Sequence, residues 1–583
     1  MAPSFLGLIA SFVRRHWAAY ASSALMLAGV ALLGIWLPRQ IGHIVDGLAS
    51  QQLVGAALWP ELALLLAAGA GVYGLRVAWR FQLFGTAYKL GVELRVQLFH
   101  RLCLQGPPFF QTRRTGDLMA LATNDVDAVE QAAGEAMLAG FDGSMTLLLV
   151  VVAMSVGVDW RLTLVALLPF PLMAIAFWWI SRRVHEASHQ ALTAFGSLND
   201  QVQESLSGVR MLRALGLQAR SSAQFSTLAG KAAATSLSAQ RWEATYEPTV
   251  GLTLTSAVVL ALGYGGALVW RGEISIGQLT AFGLYLGQLI WPMFAAGWVL
   301  SLIERGRAAW SRLAPMLAAP LLVQDLGTVQ QCPAGALELQ DLHFAYPGQS
   351  EPALAGVDLS LAAGQTLGLV GPTGAGKSSL VKLLLRQWTA QQGQLTWGGV
   401  ALADYRLATL QSALAWVPQE PILFSASVAE NIALTQPEAS RAQIEAVARL
   451  AQVHEDIVRL PQGYDTPVGE RGITLSGGQR QRVAIARALL TGAPLLLLDD
   501  ALSAVDTQTE ARILAALRGQ AAGRSMLIIS HRLRTLQHAQ QILVLRHGRV
   551  SERGSHAELL ALGGWYATQW RVQQLEASLE DVA

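Results

Sequence analysis

Residues 371 to 378 read Gly371-Pro372-Thr373-Gly374-Ala375-Gly376-Lys377-Ser378, a complete G-x-x-x-x-G-K-S loop, with Ser379 following. A short apolar run, 365–370, precedes it as a strand, and a helix-forming stretch follows. Glycines here let backbone N–H groups approach phosphate, and the helix start adds its positive dipole. Lys377 is placed to reach the terminal phosphates of a nucleotide, and the Ser378 hydroxyl to ligate Mg2+. A second apolar strand, 495–498, ends on Asp499, the position of a metal-holding carboxylate in nucleotide-binding sheets. These two elements establish binding of a nucleotide with Mg2+, and many families share them. Ser476-Gly477-Gly478-Gln479 opens another helix and forms a second anion-binding helix start, with no strand before it. One nucleotide needs only one such start. The pair therefore predicts a composite site, each ATP lying between the phosphate loop of one domain and the Ser-Gly-Gly of another.

The rest of the chain must position these groups. Its 583 residues exceed a single core, and only 14% are charged against 52% hydrophobic. The deficit falls in residues 1–312, where six segments near 17–37, 55–79, 136–157, 160–180, 248–270 and 278–303 are long enough to cross a bilayer. Pro38, Pro60, Gly157, Pro248 and Gly272 mark ends of several. Residues 313–335 form a linker with Pro315, Pro320 and Gly327, and 336–583 form an α/β nucleotide-binding domain closing on a C-terminal helix. A net charge of +2 without basic runs excludes a nucleic-acid partner. The two cysteines, Cys103 and Cys332, show neither disulfide nor metal spacing.

Basic residues set the orientation. Arg14 and Arg15 precede span one, five more Lys/Arg lie between Lys89 and Arg114, and seven between Arg182 and Arg241. Both termini and these two long connections are expected in the cytoplasm, with an uncleaved N-terminal elbow. The connections are expected to be helical arms projecting roughly 35–40 Å, since helices of about 25 residues rise 1.5 Å per residue. Thr115–Met119, Asn199-Asp200 and Glu204-Ser205 are expected near their tips; ordinary cytoplasmic loops are the alternative.

In this order the motifs resemble those of the ATP-binding-cassette exporters, over essentially the whole chain. The resemblance implies a six-span α-helical membrane domain of the type I exporter (type IV transporter) fold, fused to an α/β P-loop domain. It also implies that Tyr346 in Phe344-Ala345-Tyr346-Pro347 stacks on adenine and that Gln419 senses and helps hold Mg2+. By the same resemblance Asp506 lies in a loop crossing the dimer, His531 contacts the γ-phosphate, and Gly469-Glu470-Arg471-Gly472 is the exporter-specific loop beside the signature. Thr115–Ala120, Thr123–Asp127, Ser197–Asp200 and Leu498–Asp506 together resemble the first subunit of Mdl-type (Smd-type) multidrug-resistance-like transporters. That group implies a heterodimer in the bacterial inner membrane and efflux of drugs or polyamine-like cations, with a homodimer as the alternative.

One position departs from the pattern. The residue after Asp499 is Asp500, where the family carries a glutamate that polarises the attacking water. An aspartate is shorter by one C–C bond, about 1.5 Å, and misplacements near 1 Å cost on the order of a hundredfold in rate. The expectation is a site that binds ATP and hydrolyses it poorly; the alternative is that Asp500 still works through a shifted water. Within the membrane domain, Glu135 and Asp142 share one helix face and are candidates for a cationic substrate, or else pair locally. A lipid or peptide translocase, or a regulatory half whose partner forms the path, is the other functional class. The six spans exclude a soluble ATPase, and the fusion of membrane and motor parts disfavours an importer.

Overall fold

In the computed structural model, which describes residues 4–469, 474–519 and 523–580, the chain divides into two compact units. The first holds Met1–Cys103 and Thr115–Ala319; the second holds Leu104–Arg114 and Pro320–Ala583.

Six helices among the described residues have the length and composition to cross a membrane. An amphipathic α1 (Phe5–Arg15) precedes α2 (Trp17–Ala49) and α3 (Leu58–Cys103). Short α4 (Pro107–Gln111) belongs to the second unit. The third long helix comprises α5 (Thr115–Ala120), α6 (Val126–Gln131) and α7 (Met137–Gly157), joined by π-helical turns at Leu121–Asp125 and Ala132–Ala136. The fourth is α8 (Trp160–Leu167) with α9 (Pro169–Ser207), and α10 (Val209–Ala214) leads to the fifth, α11 (Gln218–Glu243) with α12 (Tyr246–Trp270). The sixth is α13 (Ile276–Gln288) with α14 (Ile290–Leu317).

Two local expectations are corrected. Pro38 does not end span one; it is buried inside α2, which runs on to Ala49. A proline removes one backbone donor, and a helix in packed surroundings can continue past that loss. The first long connection bends between Cys103 and Thr115, next to the expected Thr115–Met119, and the second turns later than expected, at Gly208 and Gly216, the latter with φ +67°. Asn199-Asp200 and Glu204-Ser205 remain inside α9.

Spans one and six are tied by side chains along one seam. Asp46 accepts from Ser275 Oγ at 2.5 Å and from the Gly277 amide at 2.7 Å. Tyr285 donates to the Ile35 carbonyl and Gln288 to that of Gly34, both at 2.8 Å. Inside a membrane such bonds hold helices where no hydrophobic drive exists between them. Gly277 makes the close approach possible, because a Cβ there would lie 2.0 Å from the Gly42 carbonyl oxygen.

Among the described residues the second unit has ten strands: β1 (Leu337–Phe344), β2 (Leu354–Leu361), β3 (Thr366–Val370), β4 (Gln392–Trp397), β5 (Val400–Ala401), β6 (Leu414–Val417), β7 (Leu495–Asp499), β8 (Ser525–Ile529), β9 (Gln541–Arg546) and β10 (Arg549–Gly554). A six-stranded sheet runs β10-β9-β3-β8-β7-β6 and is parallel except for β10. An antiparallel sheet runs β2-β1-β4-β5. β3, β7 and β8 are buried throughout, as strands covered on both faces must be. Their carboxyl ends are where an open parallel sheet presents its ligand site.

Gly277→Ala is expected to lower the thermal stability of the detergent-solubilised protein by about 1–3 kcal/mol, the cost of overpacking. Gly283→Ala, whose Cβ meets nothing within 4 Å, is expected to cause no loss. Equal melting temperatures for both variants would remove the seam's role.

Candidate nucleotide site and membrane cavity

β3 ends at Val370, and the loop that follows reaches α15 (Lys377–Leu384) through Gly376. Gly376 has φ +101°, and a Cβ there would lie 2.3 Å from the Ala353 carbonyl oxygen, so the turn admits no side chain. Lys377 Nζ donates to the carbonyls of Gly371 at 2.7 Å and Pro372 at 2.9 Å. Burial pushes its ammonium below the ordinary lysine range, with Asp499 and Asp500 opposing the shift. Asp499, at the end of β7, is pushed up by burial, while the Ser378 hydroxyl bonded to it and Lys377 pull it down.

Most of the expected residues border one cavity of about 470 Å3: Tyr346, Thr373, Gly374, Ala375, Gly376, Lys377, Ser378, Ser379, Gln419, Asp499, Asp500 and His531. Gly371 and Pro372 form the base of the loop. Tyr346 donates to or accepts from Ser379 Oγ at 3.0 Å, and its ring meets Trp388 edge-on at 5.2 Å. Trp388 was not anticipated from the sequence. Its role is tertiary, since it braces the aromatic from 42 residues away.

The remaining expected residues do not border this cavity. Ser476 caps the helix Gly477–Leu490: its Oγ accepts from the Gln479 amide at 3.2 Å, and Gln479 Oε1 accepts from the Ser476 amide at 3.0 Å. This capping box leaves the other first-turn N–H groups without intrahelical partners. Asp506 caps the helix Thr507–Gly519 through the Thr509 amide at 2.9 Å. Glu470, Arg471 and Gly472 lie outside the described residues.

Asp500 sits at φ +51°, a left-handed conformation that aspartate tolerates better than most residues. Its amide donates to the Ile529 carbonyl at 2.9 Å, and its Oδ1 lies 3.1 Å from His531 Nδ1. Its Oδ2 is buried with no hydrogen-bond partner among the described residues. Burial pushes the carboxyl up, with His531 opposing. The short side chain therefore ends on the histidine.

These residues fit a magnesium nucleotide. Ser378, Asp499 and Gln419 offer a hydroxyl, a carboxylate and an amide, the hard oxygen donors Mg2+ takes. A Cβ on Gly374 would meet nothing within 4 Å, so the loop leaves room at that position. Bound metal would neutralise phosphate charge, and Lys377 with the loop amides would orient the phosphates.

Comparison with known proteins agrees with this geometry. Residues 21–293 match the family model of the ABC transporter transmembrane region, and 354–503 match the ABC transporter family model. The multidrug resistance-like ATP-binding protein MdlA of Escherichia coli is 44% identical over 570 residues, 98% of this chain and 97% of that one. The chain belongs to the ABC exporters. A solved bacterial Atm1-family ABC exporter with ATP bound superposes with a TM-score of 0.80 at 28% identity, covering 96% of this chain and 99% of its own. The ATP-dependent lipid A-core flippase of Pseudomonas syringae pv. syringae is 36% identical over 564 residues, 94% of this chain and 91% of that one.

In this exporter, Gln481 links three functional segments that the sequence alone did not connect. It is 3% exposed, on the helix that Ser476 caps. Its Nε2 donates to Ser503 Oγ at 3.1 Å and to the Gln419 carbonyl at 3.4 Å, and its Oε1 accepts from the Ala504 amide at 2.9 Å. Arg532, beside His531, donates to the carbonyls of Ser503 and Val505. Such contacts are invisible to motif spacing.

The exporter's membrane unit lines an open cavity of about 900 Å3 that both Glu135 and Asp142 border. Asp142 Oδ2 accepts from Trp291 Nε1 at 2.8 Å. Arg76 and Arg80 also border it. Neither belongs to the basic clusters that set the orientation. Two arginines four apart at the end of an apolar span were the available signal.

Gln481→Leu keeps the side-chain volume while breaking all three links. We expect ATP binding to this chain's loop to survive and turnover at this chain's own site to fall about tenfold to a hundredfold, as small misplacements at a reacting centre do. Unchanged turnover at this loop would show that the links do not position the site.

Proposed function

We propose that this chain is one subunit of a heterodimeric exporter that moves small amphipathic molecules out across the bacterial inner membrane. Its termini and motor unit lie in the cytoplasm. ATP binds its phosphate loop and is hydrolysed there slowly, while its Ser476–Gln479 segment completes the site of a partner half. ABC exporters act as dimers in a lipid bilayer. The observation that carries the unequal pairing is Asp500, whose carboxylate is short, buried and engaged with His531 at the cavity wall. Lys377, Ser378, Asp499 and His531 border the cavity, so binding is retained. The likeness to a multidrug resistance-like protein supports a small-molecule cargo. The likeness to a lipid A-core flippase favours a second reading, a lipid-like amphipath.

Asp500→Glu is expected to raise ATP turnover at this chain's own site by about tenfold to a hundredfold, the reverse of the misplacement cost. Asp500→Asn is expected to leave most of the assembled transporter's ATPase intact. If the chain purified alone hydrolyses ATP at full rate and Asp500→Glu adds nothing, the site is fully competent and the unequal pairing is wrong.

A further inference from the structure

The lining of the membrane cavity narrows the cargo, and this step rests on the exporter reading. Arg76 and Arg80 come from α3, four residues apart and hence on one face. Neither has a carboxylate within ion-pair distance among the described residues; Arg80 has only the ring of Trp79, 5.5 Å away. Glu135, in the π-helical turn Ala132–Ala136, and Asp142, on α7, supply the opposite sign. Glu135 has no hydrogen-bond or ion-pair partner among the described residues. Asp142 is oriented by the Trp291 indole, which occupies one of its oxygens. Each sign is thus contributed by a different helix, and three of the four charges are uncompensated by hydrogen bonds or ion pairs.

Arg76 and Arg80 are exposed and Glu135 and Asp142 half-buried, so charges of both signs are open to a cargo of complementary charge. A bare cation would satisfy the carboxylates and be repelled by the arginines; a bare anion would meet the reverse. Trp79, Phe294 and Trp298 add apolar wall, and the indole N–H of Trp79, a residue 5% exposed, is buried without an acceptor. We propose that the cavity takes an amphipath carrying both charges, its anionic group at Arg76 and Arg80, its ammonium at Glu135 and Asp142, and its apolar body on the aromatic wall. Polyamine-like cations, which lack the anionic group, are poor cargo. The zwitterion is either a soluble molecule or a lipid with an amine and a phosphate in its headgroup, and the test separates the two sources.

The full chain, with whatever half-transporter copurifies, is reconstituted in proteoliposomes with ATP at the motor side. Three soluble probes share one fluorescent body: Nε-dansyl-lysine as the zwitterion, its methyl ester as the cation, and its Nα-acetyl derivative as the anion. A fourth, acyl-chain NBD-labelled phosphatidylethanolamine, is followed by dithionite quenching. The expected result is ATP-dependent movement of dansyl-lysine in preference to its ester and acetyl forms. Arg76→Gln and Arg80→Gln are each expected to lower the zwitterion-to-ester ratio at least about tenfold, the effect of a lost charge-assisted bond, and Arg80→Lys to restore most of it. Movement of the lipid probe alone, with the same arginine dependence, supports the proposal with a lipid as the source. An ester moved as well as the zwitterion by the unaltered protein overturns the proposal, a result that depends on no variant folding. So does a ratio that the arginine substitutions leave unchanged. If none of the four probes moves with ATP, the exporter reading itself falls and the proposal with it.

Discussion

A triphosphate concentrates several negative charges in a small volume, and a protein must surround it with donors to hold it away from water. This chain carries two helix starts built for that task, at Gly376-Lys377 and at Ser476-Gly477, and only the first borders the nucleotide cavity. The second has its capping serine and glutamine bonded to each other, and none of its residues lines the nucleotide cavity of its own chain. ABC exporters act as dimers, and in the composite site proposed above a second motor domain presents the donors that one cavity lacks. Dependence on a second half is thus built into the distribution of donors within the chain.

The same charge logic accounts for the local strain at the end of β7. Asp499 is bonded by the Ser378 hydroxyl, whereas Asp500 turns into the left-handed region and directs its carboxylate to His531. An oxygen left buried without a partner costs about 1–3 kcal/mol, and Asp500 Oδ2 is such an oxygen. Gln481 and Arg532 hold the neighbouring loops, so the geometry around that carboxylate is fixed from several directions. A longer acid on this backbone would carry its oxygens further into the cavity. The unequal role proposed for this half follows from that one missing bond length.

The sequence made much of this legible because the relevant signals are local. The phosphate loop, the strand ending on Asp499 and the Ser-Gly-Gly helix start are short patterns whose backbone requirements are met within a few residues. Six apolar runs are equally direct, since length against bilayer thickness decides them. What stayed hidden depends on contacts between distant segments. Pro38 continues a helix where it was expected to end one. The arm turns fall at Gly208 and Gly216 rather than at the polar residues before them. Trp388 braces Tyr346, and Gln481 joins two loops to the helix that Ser476 caps, through side-chain geometry that no spacing encodes. Arg76 and Arg80 became visible as cargo-facing only when the cavity they share with Glu135 and Asp142 was in place.

The most direct test of the unequal-half account is the identity of the nucleotide retained on this chain during turnover. Photo-crosslinking of γ- and α-labelled azido-ATP to the assembled transporter, followed by separation of the two halves, reads each phosphate loop independently. The account predicts that this chain retains both labels, as intact triphosphate, while its partner retains only the α label. Equal loss of the γ label from both halves would contradict it.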